Sequence, residues 1–137
     1  MTDKVVRPRV VIADDHSGIL DQVVALLRQD FEIVATARDG MVALDSIRRL
    51  DPDIAVLDLY MPGINGLDIV RTITESATRT VTVIVSGYND PELAKAAITA
   101  GAKAFVAKSR LVQDLLPAIR GAVQGQVFVS NLSPTKR

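Results

Sequence analysis

A run of apolar residues, VVIA at positions 10–13, ends abruptly at the acidic pair Asp14-Asp15, and this stretch decides the fold. Apolar residues then recur at spacings of three and four over residues 19–27, which predicts an amphipathic helix. The same order, a strand-length apolar run followed by a helical pattern, returns four more times. We predict the later strands over residues 31–37, 54–57, 81–85 and 103–107.

The predicted strands are almost continuously apolar rather than alternating. Such strands are typical of parallel sheets that helices cover on both faces. Crossovers between parallel strands are right-handed, and five strand–helix units most often wind in the order 2-1-3-4-5. The sequence therefore predicts an α/β fold, a (βα)5 flavodoxin-like, doubly wound, five-stranded parallel sheet.

Local signals place several helix ends. Asp90 is expected to cap the fourth helix, with Pro91 at its first position, and Gly101 is expected to end it. The last helix contains Pro117, which has no N–H to donate. Proline is tolerated in the first turn of a helix, so we expect this helix to begin near Gln113 or Asp114.

Composition excludes several classes of protein. The chain has 137 residues, 16 basic and 16 acidic, so no overall positive field favours direct binding of nucleic acid. It contains no cysteine, which excludes disulfides, cysteine-ligated zinc and thiol catalysis. No apolar stretch is long enough to span a bilayer, and residues 1–9 lack the apolar core of a signal peptide. We expect a cytoplasmic protein without membrane contacts.

The length fits one domain with its own core. We predict that this domain covers residues 1–125. Residues 126–137 contain a short apolar patch followed by serine, proline and basic residues, and we predict a C-terminal tail or the start of a linker there.

Polar side chains capable of chemistry fall at the ends of four predicted strands. In an open α/β sheet, ligands bind beyond the carboxyl ends of the strands, where the strand order reverses. These ends therefore predict a site at one edge of the sheet. The residues concerned are Asp14, Asp15, Asp58, Ser86 and Lys108.

Three neighbouring carboxylates repel one another, and a hard divalent cation such as Mg²⁺ would relieve that repulsion. Two of the acids would then supply ligands, and the third would be free to attack a phosphoryl group held by the same ion. Lys108 could neutralise charge on the phosphoryl oxygens, and the Ser86 hydroxyl could donate a hydrogen bond to another of them.

These residues, in this order and spacing, resemble the bacterial response-regulator receiver domains of two-component signalling over about residues 9–125. The resemblance rests on Asp14-Asp15, on LDLYMPG at 57–63, on Ser86-Gly87, and on KAFVAK at 103–108. Further matches, at 14–16, 39–40 and 101–105, are most similar to receivers that precede a helix-turn-helix output domain.

The resemblance implies a role for each position. Asp58 would be the phosphoacceptor, Asp15 the main metal-ligating acid, and Asp14 a ligand through water, while the Tyr60 backbone carbonyl would complete the Mg²⁺ ligands from the protein. Tyr88 would join Tyr60 in shaping the access of water to the phosphoaspartate.

For the remaining site residues, the resemblance implies that Lys108 is the invariant lysine, Ser86 the hydroxyl of the switch and Phe105 its aromatic residue. Once Asp58 is phosphorylated, Ser86 would move inward and Phe105 would fill the space left behind. The face formed by helix 4, strand 5 and helix 5 would thereby change.

The same resemblance implies partners. A sensor histidine kinase or a phosphotransfer protein would donate the phosphoryl group, and phosphorylation could promote formation of a homodimer. The chain would not be an enzyme beyond its own phosphorylation and dephosphorylation. It would reach DNA only through a downstream domain, and the sequence leaves open whether it is a stand-alone receiver or a fragment of a longer regulator.

Rival functions are weaker. Aspartyl-phosphate hydrolases commonly need a second aspartate two residues after the nucleophile, where this chain has Tyr60. A degenerate receiver that only binds partners is disfavoured because every key position is filled. A nucleotide-binding Rossmann protein is excluded because no glycine-rich phosphate loop follows the first strand.

Overall fold

The computed structural model describes residues 6–132 of the chain. Over these residues, strands and helices alternate from end to end. The elements are β1 (Arg9–Ala13), α1 (Ser17–Leu27), β2 (Glu32–Ala37), α2 (Gly40–Leu50), β3 (Ile54–Asp58), α3 (Gly66–Glu75), β4 (Val81–Ser86), α4 (Pro91–Ala100), β5 (Ala104–Ala107), a 3₁₀ turn (Lys108–Arg110), α5 (Leu111–Val123) and β6 (Phe128–Val129).

All the strands pair in parallel, in the order β2-β1-β3-β4-β5-β6. The predicted flavodoxin-like fold with the order 2-1-3-4-5 is therefore confirmed. The prediction of a five-stranded sheet is incomplete, since β6 adds a sixth strand to the outer edge of β5.

Two apolar layers sandwich the sheet. Alternate residues of β1 point to opposite faces: Val11 belongs to the layer with α2, α3 and α4, and Ile12 to the layer with α1 and α5. This double coverage explains why the strands are apolar on both faces. Within the part of the chain that the structure describes, none of the helices has the length and apolar character needed to cross a membrane.

Helix ends follow the local chemistry of the sequence. The Asp90 carboxylate accepts a hydrogen bond from the Glu92 backbone N–H, and Pro91 opens α4, as predicted. Gly101 ends α4 with φ 125°, and a Cβ there would lie 2.1 Å from Thr74 Oγ1. Glycine is therefore required at this end both for its backbone conformation and for its close contact with α3.

The predicted start of the last helix near Gln113 or Asp114 is wrong. Helix α5 begins at Leu111, so Pro117 lies inside it. The earlier start lets Leu111 and Leu115 be buried on the same face, one turn apart, against the sheet. That burial outweighs the loss of one backbone hydrogen bond at Pro117.

The segment after α5 differs from the predicted tail over the residues described. Phe128 and Val129 pair with Ala104 and Phe105 of β5, and Ser130 is only 3% exposed. A short apolar patch is thus used to extend the sheet. The rest of the predicted tail, residues 133–137, lies outside the described residues, and the division of the chain at residue 125 stays a prediction.

Candidate functional site

The carboxyl edge of the sheet brings together side chains from four strands. Asp58 and Ser86 are the last residues of β3 and β4, while Asp14 and Lys108 directly follow β1 and β5. Parallel pairing in register aligns these strand ends, so the side chains converge. They surround a cleft of about 210 Å³, lined by Asp15, His16, Asp58, Tyr60, Ser86, Gly87, Tyr88 and Lys108.

Lys108 bridges two buried acids at the base of this cleft. Its Nζ lies 3.2 Å from Asp14 Oδ2 and 3.2 Å from Asp58 Oδ1. Asp14 is 2% exposed and Asp58 is 5% exposed. A lysine between two carboxylates leaves one negative charge uncompensated, before Asp15 is counted.

The three predicted acids lie close enough to share one ion. Asp14, Asp15 and Asp58 each offer an oxygen, and these oxygens all lie within 4.8 Å of one another. Asp15 is exposed at the rim, whereas the other two acids are buried. Oxygen donors of this number and charge fit a hard cation such as Mg²⁺, which retains waters beside one or two carboxylates.

The surroundings of Asp58 disfavour its ionised form. Burial raises the pKa of Asp58 to about 7, and the neighbouring charge of Asp14 adds to this effect. The Lys108 ammonium opposes the rise in pKa without cancelling it. A cation that neutralises the cluster would therefore favour the ionised, nucleophilic form of Asp58.

The same cluster disfavours the charged form of Asp58 but favours the charged form of Lys108. Burial alone would lower its pKa, but the charges of Asp58 and Asp14 outweigh burial and raise the pKa of Lys108 above its ordinary value. The side chain therefore remains a cation, fixed beside Asp58.

Ser86 is fully buried at the opposite wall of the cleft. Its Oγ accepts a hydrogen bond of 2.9 Å from the Tyr88 backbone N–H and lies 3.3 Å from the Tyr88 carbonyl oxygen. The hydroxyl thus holds the loop after β4 in place, and any new partner for Ser86 would release part of that loop.

Two exposed tyrosines stand at the mouth of the cleft. The rings of Tyr60 and Tyr88 meet edge to face, with centroids 5.4 Å apart and planes at 88°. They are 50% and 60% exposed, so they flank the opening without filling it. His16 also lines the cleft, and its backbone N–H donates to Asp14 Oδ1 at 2.8 Å.

Phe105 does not line the cleft. Its side chain is fully buried in β5, within the layer that contains α2, α3 and α4. In strand register it lies between Ile84 of β4 and Val129 of β6. Any role in switching must therefore act through the core rather than by contact with a bound group.

Sequence reasoning missed Gly66, which is the first residue of α3 and contacts the end of β3. A Cβ at this position would lie 2.3 Å from the Asp58 backbone carbonyl oxygen, and the Gly66 N–H donates to the Leu59 carbonyl. Glycine lets the helix approach the end of β3 this closely. No sequence signal reveals such a contact, because it depends on how the loop folds back.

Comparison with known proteins identifies the fold and its family. Residues 10–120 match the family described as the response regulator receiver domain. The chain is 35% identical to the oxygen regulatory protein NreC of Staphylococcus epidermidis over 124 residues, which are 88% of this chain and 57% of that protein. It is 32% identical over 119 residues to the DNA-binding transcriptional activator EvgA of Escherichia coli, covering 86% of this chain and 58% of that protein.

Among solved structures, a two-component response regulator of the LuxR family from Aurantimonas superimposes with a TM-score of 0.84 at 29% identity, covering 92% of this chain and 91% of that one. The chain spans less than three fifths of the length of the curated relatives NreC and EvgA. The similarity therefore concerns one domain of those proteins.

Proposed function

Because this chain belongs to the family of response regulator receiver domains, we propose that it accepts a phosphoryl group on the carboxylate of Asp58. The donor is a phosphohistidine on a sensor histidine kinase or a phosphotransfer protein. A small phosphodonor such as acetyl phosphate can replace it. In the transfer, the P–N bond of the donor breaks as a bond forms between phosphorus and an Asp58 oxygen.

One observation carries this proposal: Lys108 Nζ contacts both Asp58 and Asp14 in a cleft that opens to solvent. An ion pair that only stabilises the fold would have equal numbers of positive and negative groups, whereas this cluster has more acids than cations. Buried, unbalanced charge at a strand end is typical of a site awaiting a ligand. The lysine lies where it can neutralise oxygens of a phosphoryl group attached to Asp58.

We assign the metal site of this function to Asp15 and Asp58, with Asp14 acting through water and the Tyr60 backbone carbonyl completing the protein ligands. When bound there, Mg²⁺ neutralises the acids and the incoming phosphoryl oxygens. Among the protein groups, Asp58 supplies the nucleophilic oxygen and Lys108 stabilises the charge that develops on the phosphoryl group. Tyr60 and Tyr88 restrict the approach of water to the acyl phosphate.

Ser86 and Phe105 are proposed to convert the modification into a conformational change. The Ser86 hydroxyl exchanges its bonds within the loop of Tyr88 for one to a phosphoryl oxygen. Space opens behind it, and Phe105 in the adjacent strand moves to fill that space. The face of α4, β5 and α5 then changes, which shifts a two-state equilibrium.

At the level of the whole protein, we propose a cytoplasmic regulator that forms a homodimer when phosphorylated. DNA binding belongs to a domain downstream of this chain, as the relatives' greater length and EvgA's DNA-binding activity suggest. Residues 1–125 are proposed as the receiver and residues 126–137 as its connection onward. The chain turns over no substrate beyond its own phosphoryl group.

Labelling at Asp58 tests the proposal. Incubation with acetyl phosphate and Mg²⁺ should add one phosphoryl group per chain, seen by intact mass spectrometry, and acid or alkali should remove it. Asp58→Asn should take up none, while Asp53→Asn, at the other end of β3, should label normally. Uptake by Asp58→Asn, or steady release of phosphate from many phosphoesters, would contradict this function.

A further inference from the structure

The chain after α5 forms β6, which pairs with β5, the strand that contains Phe105 and Ala107. The Phe128 backbone N–H donates to the Lys103 carbonyl at 3.0 Å. The Ser130 backbone N–H donates to the Phe105 carbonyl at 2.9 Å. The segment 126–132, named here the latch, therefore occupies the outer edge of β5, which would otherwise be open.

Side chains reinforce the latch at its end. Ser130 Oγ accepts a hydrogen bond of 3.0 Å from the Ala107 backbone N–H and donates one of 2.7 Å to Asp114 Oδ2. Asp114, on α5, is 7% exposed and also pairs with Arg110 at 2.9 Å. The Ser130 hydroxyl thus both donates and accepts a hydrogen bond inside the protein, as buried hydroxyls generally do.

The apolar side of the latch is held less tightly. Val127 and Val129 are 53% and 43% exposed, and a cleft of about 740 Å³ separates the latch from Ile98 and its neighbours on α4. The partly buried side chains of Phe128 and Leu132 pack against the two apolar layers. These contacts and the few hydrogen bonds already named hold a strand that has only two paired residues. Such a segment can detach while the rest of the sheet remains intact.

The hydrogen bond between Ser130 Oγ and the Ala107 backbone N–H, named here the anchor of the latch, adjoins the proposed phosphorylation site. Ala107 pairs with Ser86 on its other side and directly precedes Lys108. A shift of Ser86 and Lys108 toward a phosphoryl group would therefore move the backbone N–H that Ser130 accepts from. Phe105, whose carbonyl holds the Ser130 N–H, lies in the same strand two residues earlier.

We propose that residues 126–132 form a latch that closes the β5 edge in the unphosphorylated protein and opens when Asp58 is phosphorylated. This inference rests on the proposed function of Asp58. The latch covers part of the face between α4 and α5, and its release exposes the edge of β5. Because coupling between two sites is reciprocal, a weakened latch must also favour binding at Asp58.

Amide hydrogen exchange of the whole chain tests the anchor first. Ser130→Ala should speed exchange at the Phe128 and Ser130 amides about tenfold, since it removes a buried hydroxyl with two hydrogen bonds. Ser130→Thr keeps the hydroxyl and should restore slow exchange. Ser76→Ala, at an exposed serine that ends α3, should leave both amides unchanged. Equal exchange in Ser130→Ala and wild type would overturn the latch.

The coupling is tested with beryllofluoride and Mg²⁺ as a mimic of the phosphoryl group. In the wild-type chain, the mimic should speed exchange at Phe128 and Ser130 about tenfold while β1 and β3 stay protected. By reciprocity, Ser130→Ala should bind the mimic more tightly than wild type, by at most the factor by which the variant speeds exchange in the latch.

The outcomes separate the two proposals. If acetyl phosphate labels Asp58 but exchange in the latch is unchanged by the mimic, the latch is not coupled and the function of Asp58 stands. If the chain takes up neither the phosphoryl group nor the mimic, the proposed function and the coupling both fail. In that case the exchange of Ser130→Ala still decides whether the anchor exists.

Discussion

The two ends of β3 carry similar residues with opposite electrostatics. At the carboxyl end, Asp58 is buried beside Asp14 with a single lysine, and burial followed by the Asp14 charge raises its pKa to about 7. At the amino end, Asp53 accepts a hydrogen bond of 2.7 Å from the Arg9 backbone N–H and pairs with Arg79. There the Arg9 N–H, with further help from Arg79, lowers the pKa of Asp53.

The difference lies in which charges remain unmatched. The Arg79 guanidinium also contacts Asp51, and these side chains are largely exposed, so water and the arginine together satisfy the acids. At the carboxyl end, acids outnumber cations, and Asp14 and Asp58 are buried. The exposed pairs at the amino end thus satisfy one another's charge, whereas the buried excess of acid at the carboxyl end favours binding of a cation.

The largest difference should appear in phosphoryl transfer. Lys108→Ala should slow labelling by acetyl phosphate about 100-fold, because it removes a fixed charge that stabilises the transferred group. Arg79→Ala should label at the wild-type rate, measured by intact mass against time. Similar losses in both variants would mean that the two clusters do not differ in function.

Magnesium should stabilise only through the carboxyl end. At a concentration of Mg²⁺ about 100 times its dissociation constant, the free energy of unfolding should rise by about 2.7 kcal/mol. Asp15→Asn should lose most of this gain, since it removes a proposed ligand whose side chain is exposed. Asp51→Asn should retain it in the same thermal or urea denaturation. Equal gains in all three proteins would rule out the acid cluster as the ion's site.

The smallest expected effects are changes in the free energy of unfolding with pH, measured without metal. Since Asp58 has a folded pKa of about 7 and an ordinary value of 3.8, the folded state binds more protons than the unfolded state between these values. Its contribution to stability therefore falls as pH rises through that window. At pH 8, Asp58→Asn should be more stable than wild type by about 2 kcal/mol, half of what the full rise in pKa would give, because the open cleft admits water that screens the charge. This gain disappears below pH 3.8.

Asp53→Asn is the matched control and should have the opposite sign. The lowered pKa of Asp53 contributes stability above its ordinary value of 3.8, and this contribution is lost as the pH falls through the folded pKa. The variant should be less stable at pH 8 by at most about 1 kcal/mol, because the pair with Arg79 is partly exposed. Urea denaturation across pH measures both; a stabilised Asp53→Asn would refute the contrast.

Much of the site could be predicted because parallel strands align their ends. Parallel pairing of the apolar runs that end at Asp14, Asp58, Ser86 and near Lys108 brings these ends to one edge, so their convergence follows from topology. Asp90 and Gly101 were predictable for a different reason, since caps depend on residues close in sequence.

The rest depended on contacts between distant segments. Phe128 and Val129 are too short an apolar run to predict a strand, and only the open edge of β5 makes them one. The predicted start of α5 rests on the preference of proline for the first turn, which is a local rule. The actual start is fixed by the burial of Leu111 against the sheet. Gly66 was missed since its neighbour, the Asp58 carbonyl, lies across a loop.

The pair of tyrosines at the cleft mouth makes the protein its own optical reporter. The chain has two tyrosines and no tryptophan, so its near-ultraviolet absorption and its intrinsic fluorescence come almost wholly from Tyr60 and Tyr88. Both rings border the opening beside Asp58 and touch each other. Ultraviolet fluorescence and near-ultraviolet circular dichroism of the unlabelled chain therefore sample this one corner of the surface.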